Sequence, residues 1–306
     1  GSAEEYFRYA REAACLDFTS ISDHSIHFSR DEWDSMVEAT EKYNDPGSFV
    51  TLFGYEENSG SDRNIYYTSP ETPIWTRDLF HYGDDPIPFN KILPDIKKKG
   101  GLIIHHQHGG PLFDYDYDPE ATRLVEVYSC WGASDYAGNP RPISQRDMSG
   151  KCYVDYLNRG WKLGLCAGSD DHAGHPGESD WLRTSRRYRN GLHAVLADEL
   201  TREAIFNACY KRRCYGTTGE RVFLDFRING RFMGEETETS ENRVRIFIRV
   251  IGTAPIEKIV VVKNGGEHIV LHPGTCEHTE ELSDTIPEER ETYYYLRVFQ
   301  EDGNMA

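Results

Sequence analysis

The chain has 306 residues, about two domains' worth at ~100 to 200 residues per domain, so it can bury a large core and is no stapled mini-fold. Its 34 Lys and Arg against 51 Asp and Glu leave a formal net charge of −17, which repels phosphate backbones and anionic lipid and points to a small-molecule partner instead of nucleic acid or membrane. No apolar run approaches the ~18 residues of a spanning helix, and the seven cysteines are scattered without a CxxC pair, so a soluble protein of a reducing, cytoplasmic compartment is expected.

Up to residue 218, short apolar runs alternate with amphipathic ones, the rhythm of an α/β domain. A helix over 4–14 places Phe7, Ala10 and Ala14 on one face, and Ser29 with Glu32 has capping-box spacing ahead of Trp33, Met36 and Ala39. A helix within 89–99 ends at Gly100-Gly101, with Pro94 limiting its regular part. Another starts at Thr201, buries Ile205, Phe206 and Cys209 against a barrel flank, and ends in Lys211, Arg212 and Arg213. Cys15 and Cys166 read as small buried hydrophobes.

From residue 219 the period becomes two. Val222, Leu224, Phe226 and Ile228 alternate with polar neighbours before Asn229-Gly230, and the pattern returns in Val244, Ile246, Ile248 and Val250 and around Asn264-Gly265-Gly266. With a further strand over 293–300, residues 219–306 are expected to form a small antiparallel β-sandwich that shapes one wall of the cleft. His268, His272 and His278 read as its surface, and Tyr293, Tyr294 and Tyr295 as a conceivable stacking face for a binding role.

Chemistry gathers where the strands of the first part end. The run 18–21 leads into Ser22-Asp23-His24, 50–55 into Glu56-Glu57, 102–104 into His105-His106-Gln107-His108, and 163–167 into Gly168-Ser169-Asp170-Asp171-His172; the strand 124–128 carries Glu126. A parallel barrel collects such ends at one mouth. Carboxylates gathered without a cation raise one another's pKa, a conflict that divalent metal removes. Imidazole with carboxylate suits zinc, manganese or iron, and two or more such ions make hydrolysis the natural reaction class.

Ser22-Asp23-His24, Gly54-Tyr55-Glu56, His105-His106, 125–129 and 168–172 resemble, in order, the motifs of the PHP (polymerase and histidinol phosphatase) superfamily. The larger branch related to carbaryl-hydrolase-like proteins is more similar still, through 200–205, Arg213, Tyr215 and Thr217-Thr218-Gly219-Glu220-Arg221. The resemblance implies a distorted seven-stranded (β/α) TIM-like barrel over 1–218, with two or three divalent metals. His24, Glu56, His105 or His106, Asp170 and His172 would be ligands; Asp23, Glu126, His108 and Asp171 would be catalytic or lie just behind the metals. Arg183, in a run with Arg186, Arg187 and Arg189, and Arg213 are candidates for holding an anionic substrate. Phosphoester hydrolysis fits the superfamily best, with amide, carbamate or carboxyl-ester hydrolysis as the alternative on the same site, and a non-catalytic binding protein as the other. The sequence departs from the pattern in having no His-x-His ahead of Ala3, which would remove two ligands of one subsite. It also has Glu57 where an aromatic is common, no His in Asp62-Arg63-Asn64, and an end at 303–306 inside a strand motif.

Overall fold

The computed structural model describes residues 2–58, 61–72, 74, 89–106, 117–143, 148–177, 188–287 and 291–306. Strands β1 (Phe18–Ser20), β2 (Val50–Glu57), β3 (Arg63–Tyr67), β4 (Leu102–His106), β5 (Thr122–Ser129) and β6 (Gly132–Ala133) follow one another across one sheet, and β7 (Gly164–Ala167) also pairs with β5. The pairs β1/β2, β4/β5 and β5/β7 are parallel, whereas β3 runs antiparallel to both its neighbours. The result is a curled, open, mixed half-barrel. Among the described residues no ladder joins β7 to β1, so the closed (β/α) barrel expected from the motifs is not what forms. The antiparallel course of β3 has a local cause: five residues, 58–62, separate β2 from β3, too few for a parallel crossover, which needs about a dozen or more.

Helices α1 (Ala3–Glu12) and α2 (Arg30–Tyr43) both begin in capping boxes, Ser2 with Glu5 and Ser29 with Glu32. With α3 (Phe89–Lys98) they cover the convex face, where Phe7, Trp33, Ile92 and Ile96 meet Phe53, Tyr55, Ile65 and Ile103. Short α4 (Tyr153–Asn158) precedes β7, and a two-stranded ladder of β8 (Leu192–Val195) and β9 (Cys214–Thr217) brackets α5 (Arg202–Tyr210). Thr201 caps α5 by accepting from the Ala204 N–H. Its apolar face does not lie on a flank. Ile205, Phe206 and Cys209 fill the concave floor, against Leu52, Leu102, Ile104, Leu124 and Cys166. Cys166 is buried as expected, but Cys15 is exposed, in a left-handed turn after α1.

Beyond these, β10 (Phe223–Ile228), β11 (Arg231–Phe232), β12 (Arg243–Ile251), β13 (Ile256–Lys263), β14 (Gly266–Leu271), β15 (Glu277–Thr285) and β16 (Tyr294–Gln300) make two antiparallel sheets, β11-β10-β12-β15 and β14-β13-β16. Both Asn229-Gly230 and Asn264-Gly265 take positive φ, the type I′ geometry that matches strand twist. Leu224, Phe226, Ile246 and Ile248 of one sheet share an apolar cluster with Ile259, Val261 and Val298 of the other. Val260, Val262 and Tyr295 pack the opposite way, onto Val125, Val127 and Tyr128 of β5. The three consecutive tyrosines therefore share no stacking face: Tyr295 is buried, the Tyr294 hydroxyl donates to Asp284, and that of Tyr293 to Asn158. Residues 304–306 return beside β16, exchanging backbone hydrogen bonds between Val298 and Ala306. Among the described residues no helix is long and apolar enough to cross a membrane.

Asp284 links these sheets, taking Lys263 Nζ at 2.7 Å and Tyr294 Oη at 2.7 Å, with His268 Nε2 at 2.8 Å. Burial works to raise its pKa, and the three donors outweigh burial and hold the carboxyl below its ordinary range. A depressed carboxyl contributes stability above its unfolded pKa and loses it as pH falls. Asp284→Asn is therefore expected to cost about 2 kcal/mol at neutral pH and to cost less in acid. Urea unfolding at several pH values checks this; an equal loss at every pH would contradict it.

Candidate metal centre

Strand parity builds the site. On β2, Leu52, Gly54 and Glu56 face the concave side; β4 presents Leu102, Ile104 and His106 there, and β5 presents Leu124 and Glu126. Each series ends in a titratable side chain, at the C-terminal end of β2 and β4 and three residues before the end of β5. Asp23 and His24 follow β1, residues 168–172 follow β7, and together these groups line a cavity of about 1250 Å³ to which Asn64 and Tyr66 also contribute.

His106 sits between two carboxylates, with Nδ1 2.9 Å from Glu126 Oε1 and Nε2 3.2 Å from Asp170 Oδ2. His172 Nδ1 lies 3.0 Å from the Asp170 carbonyl oxygen, and its ring centroid is 6.3 Å from that of His24. His24 Nδ1 is 2.9 Å from Asn58 Oδ1 and 3.5 Å from Glu56 Oε1. Asp170 has φ of 48°, in the left-handed region that Asp tolerates better than most residues. At Gly168 a Cβ would run into the Glu126 carboxylate, so the absence of a side chain there lets Glu126 reach its place.

Burial raises the pKa of Glu56 against the opposing pull of His106 and His24, and burial likewise raises Asp23. At His106 burial opposes the charge, but Glu126 and Asp170 prevail and hold the imidazole well above its usual value. Desolvation, which a bound cation would offset, is the main cause at both carboxyls. Among the described residues no group of three or more His, Cys, Asp and Glu side chains is arranged to hold a metal ion as it stands. The donors fit such an ion pairwise: the 3.2 Å between His106 Nε2 and Asp170 Oδ2 is close to the roughly 3.3 Å edge of a tetrahedral site with bonds of about 2.0 to 2.1 Å.

His24, Glu56, His106, Asp170 and His172 are thus brought together, with Asp23 and Glu126 beside them. His105 is not; neighbours on a strand point oppositely, and it is fully buried on the convex side, in register with Arg63 and Val125. Asp171 lines the cavity, but its carboxylate accepts from the backbone N–H groups of Ala173 and His175, as a turn former does. Arg213 lies away from the cavity, 2.5 Å from Glu235 Oε1. His108 and Arg183 lie outside the described residues. No described residue beyond Cys209 lines the cavity, so the C-terminal sheets do not form its wall. Sequence reasoning missed Asn58, Asn64 and Tyr66; only Asn58 carried a signal, that of a polar residue after the strand-end acids Glu56 and Glu57.

Residues 4–68 and 170–247 match the model of a family described as a protein of unknown function, DUF3604. Both stretches carry the DUF3604 pattern. They hold Asp23, His24, Glu56 and Asn58 on one side and Asp170 to His172 on the other. The chain is also similar to an uncharacterised protein of Chlamydia pneumoniae, 28% identical over 99% of this chain and 53% of that protein. An uncharacterised Chlamydia trachomatis protein is 26% identical over all of this chain and 54% of its own length. The chain spans about half the length of the curated relatives it matches. No solved structure matches it. None of these relatives is described as a PHP protein.

Proposed function

We propose that the cavity is the active site of a metal-dependent hydrolase that binds two or three divalent ions, zinc, manganese or iron, and acts on phosphoesters. The observation that carries this reading is the engagement of Nδ1 in three imidazoles. Glu126 Oε1 lies 2.9 Å from that nitrogen in His106, the Asp170 carbonyl accepts from it in His172, and the Asn58 amide occupies it in His24. Such partners behind a histidine orient its ring and turn Nε2 toward a metal; at His106 that nitrogen faces Asp170 Oδ2 at 3.2 Å, the carboxylate with which it would share an ion. When bound, divalent ions supply a Lewis acid and lower the pKa of water, which is the chemistry of hydrolysis.

The chain's own residues divide the remaining tasks. Glu56, Asp170 and the three Nε2 atoms would hold the ions; Glu126 stands behind His106; Asp23, at the cavity mouth with its pKa raised by desolvation, would exchange a proton. Arg8 is the one Lys or Arg among the described residues lining the cavity, so an anionic substrate would be met mainly by the ions. The superfamily resemblance favours phosphoesters, and the same chemistry extends to carboxyl esters, amides and carbamates. Five of the seven cysteines are buried thiols, which supports the reducing, cytoplasmic setting. The test is elemental analysis after loading with manganese or zinc, followed by turnover of p-nitrophenyl phosphate and p-nitrophenyl acetate. Stoichiometric metal with metal-dependent release of nitrophenol is expected; a chain that retains no metal would refute the reading.

A further inference from the structure

Asn58 stands just beyond the end of β2, half-buried, with its amide among three titratable groups. Its Nδ2 donates to Glu56 Oε1 at 2.8 Å and to Asp62 Oδ1 at 2.7 Å, and its Oδ1 is 2.9 Å from His24 Nδ1. An amide nitrogen has two hydrogens and an ionised carboxylate only accepts, so both hydrogens are committed. Turning the amide over would set its oxygen against two carboxylate oxygens, so the carbonyl must face His24. A carbonyl also only accepts, which makes Nδ1 the protonated nitrogen of neutral His24. The lone pair is left on Nε2.

We infer that Asn58 is a positioning residue that selects the His24 tautomer and occupies Oε1 of Glu56, leaving His24 Nε2 and Glu56 Oε2 as the atoms offered to a metal. The metal half of this inference rests on the hydrolase reading; the tautomer half does not. Asn58 differs from an ordinary turn former in what its loss would change. A turn former contributes to the stability of the loop at 58–62, whereas this amide sets which ring nitrogen of a histidine 34 residues earlier carries a proton.

Long-range ¹H–¹⁵N correlation spectra of the metal-free, ¹⁵N-labelled chain, at a pH where His24 is neutral, read the tautomer directly. The unmodified chain is expected to show His24 with Nδ1 protonated, and Asn58→Leu a mixture of both tautomers. Calorimetric titration with manganese or zinc is expected to give a 10- to 100-fold weaker affinity in Asn58→Leu. A His24 with Nε2 protonated in the unmodified chain would overturn the inference, as would a variant with the same spectrum and the same affinity. The first of these needs no variant, so the test survives a failure of Asn58→Leu to fold. If the unmodified chain binds neither metal while His24 shows the expected tautomer, the hydrolase reading fails and the assignment of Asn58 to His24 stands.

Discussion

Asp170→Asn is expected to abolish stoichiometric metal binding and all metal-dependent hydrolysis while leaving the unfolding midpoint within a degree or two. The choice of Asn follows from the backbone. Asp170 has φ of 48°, where an alanine would be strained by about 1 to 2 kcal/mol and would mix a folding defect with a site defect. Asn occupies that region readily and keeps the shape. What it removes is the charge that faces His106 Nε2 across 3.2 Å. Without it the imidazole keeps Glu126 on Nδ1 and has a neutral amide on the other side. Loss of a charged ligand should exceed the 10- to 100-fold cost of removing an outer partner, so an affinity at least about 100-fold weaker is expected by titration. Unchanged stoichiometry, with turnover retained, would mean that Asp170 serves the turn before His172 and not a metal.

The strand-end groups were legible because each follows an apolar run, and a sheet of any curvature with parallel neighbours brings such ends near one another. What separated His106 from His105 was parity, which depends on where a ladder begins. Two adjacent histidines carry no sign of which one faces inward; the pairing of Arg63 with His105 settles it. Closure is illegible for a similar reason. The alternation of apolar and amphipathic runs reads the same for an all-parallel barrel and for an open mixed sheet; the five residues 58–62 decide only that β3 runs antiparallel. The sequence locates the helix after Thr201 along the chain but not in space. Its apolar stripe reports that something covers it, not whether that is a flank or the concave floor. Asn58 was invisible because an Asn after a strand is ordinarily a turn residue, and only the positions of Glu56, Asp62 and His24 around it give it another role.

Glu57 and Arg63, at the end of β2 and the start of β3, form one feature. Arg63 is 1% exposed, donates from Nη1 to Glu57 Oε2 at 2.8 Å, and lays its guanidinium 3.8 Å from the ring centroid of Phe89. Cross-strand register places the two residues opposite each other on β2 and β3, on the convex side and directly behind Glu56 and Asn64. A carboxylate there is tolerable only with its cation. Removing one partner of a buried pair leaves the other charge without compensation, a loss of about 3 to 5 kcal/mol, whereas an apolar replacement of both is often neutral. Arg63→Met is accordingly expected to lower the urea unfolding free energy by that amount, and Arg63→Met with Glu57→Met to recover most of it. Metal affinity measured on the double variant separates scaffold from site: because Glu57 and Arg63 face away from the cavity, it should match the unmodified chain. A single variant costing under about 1 kcal/mol would show that the pair is solvated in solution and that β3 is held in register by its backbone ladder alone.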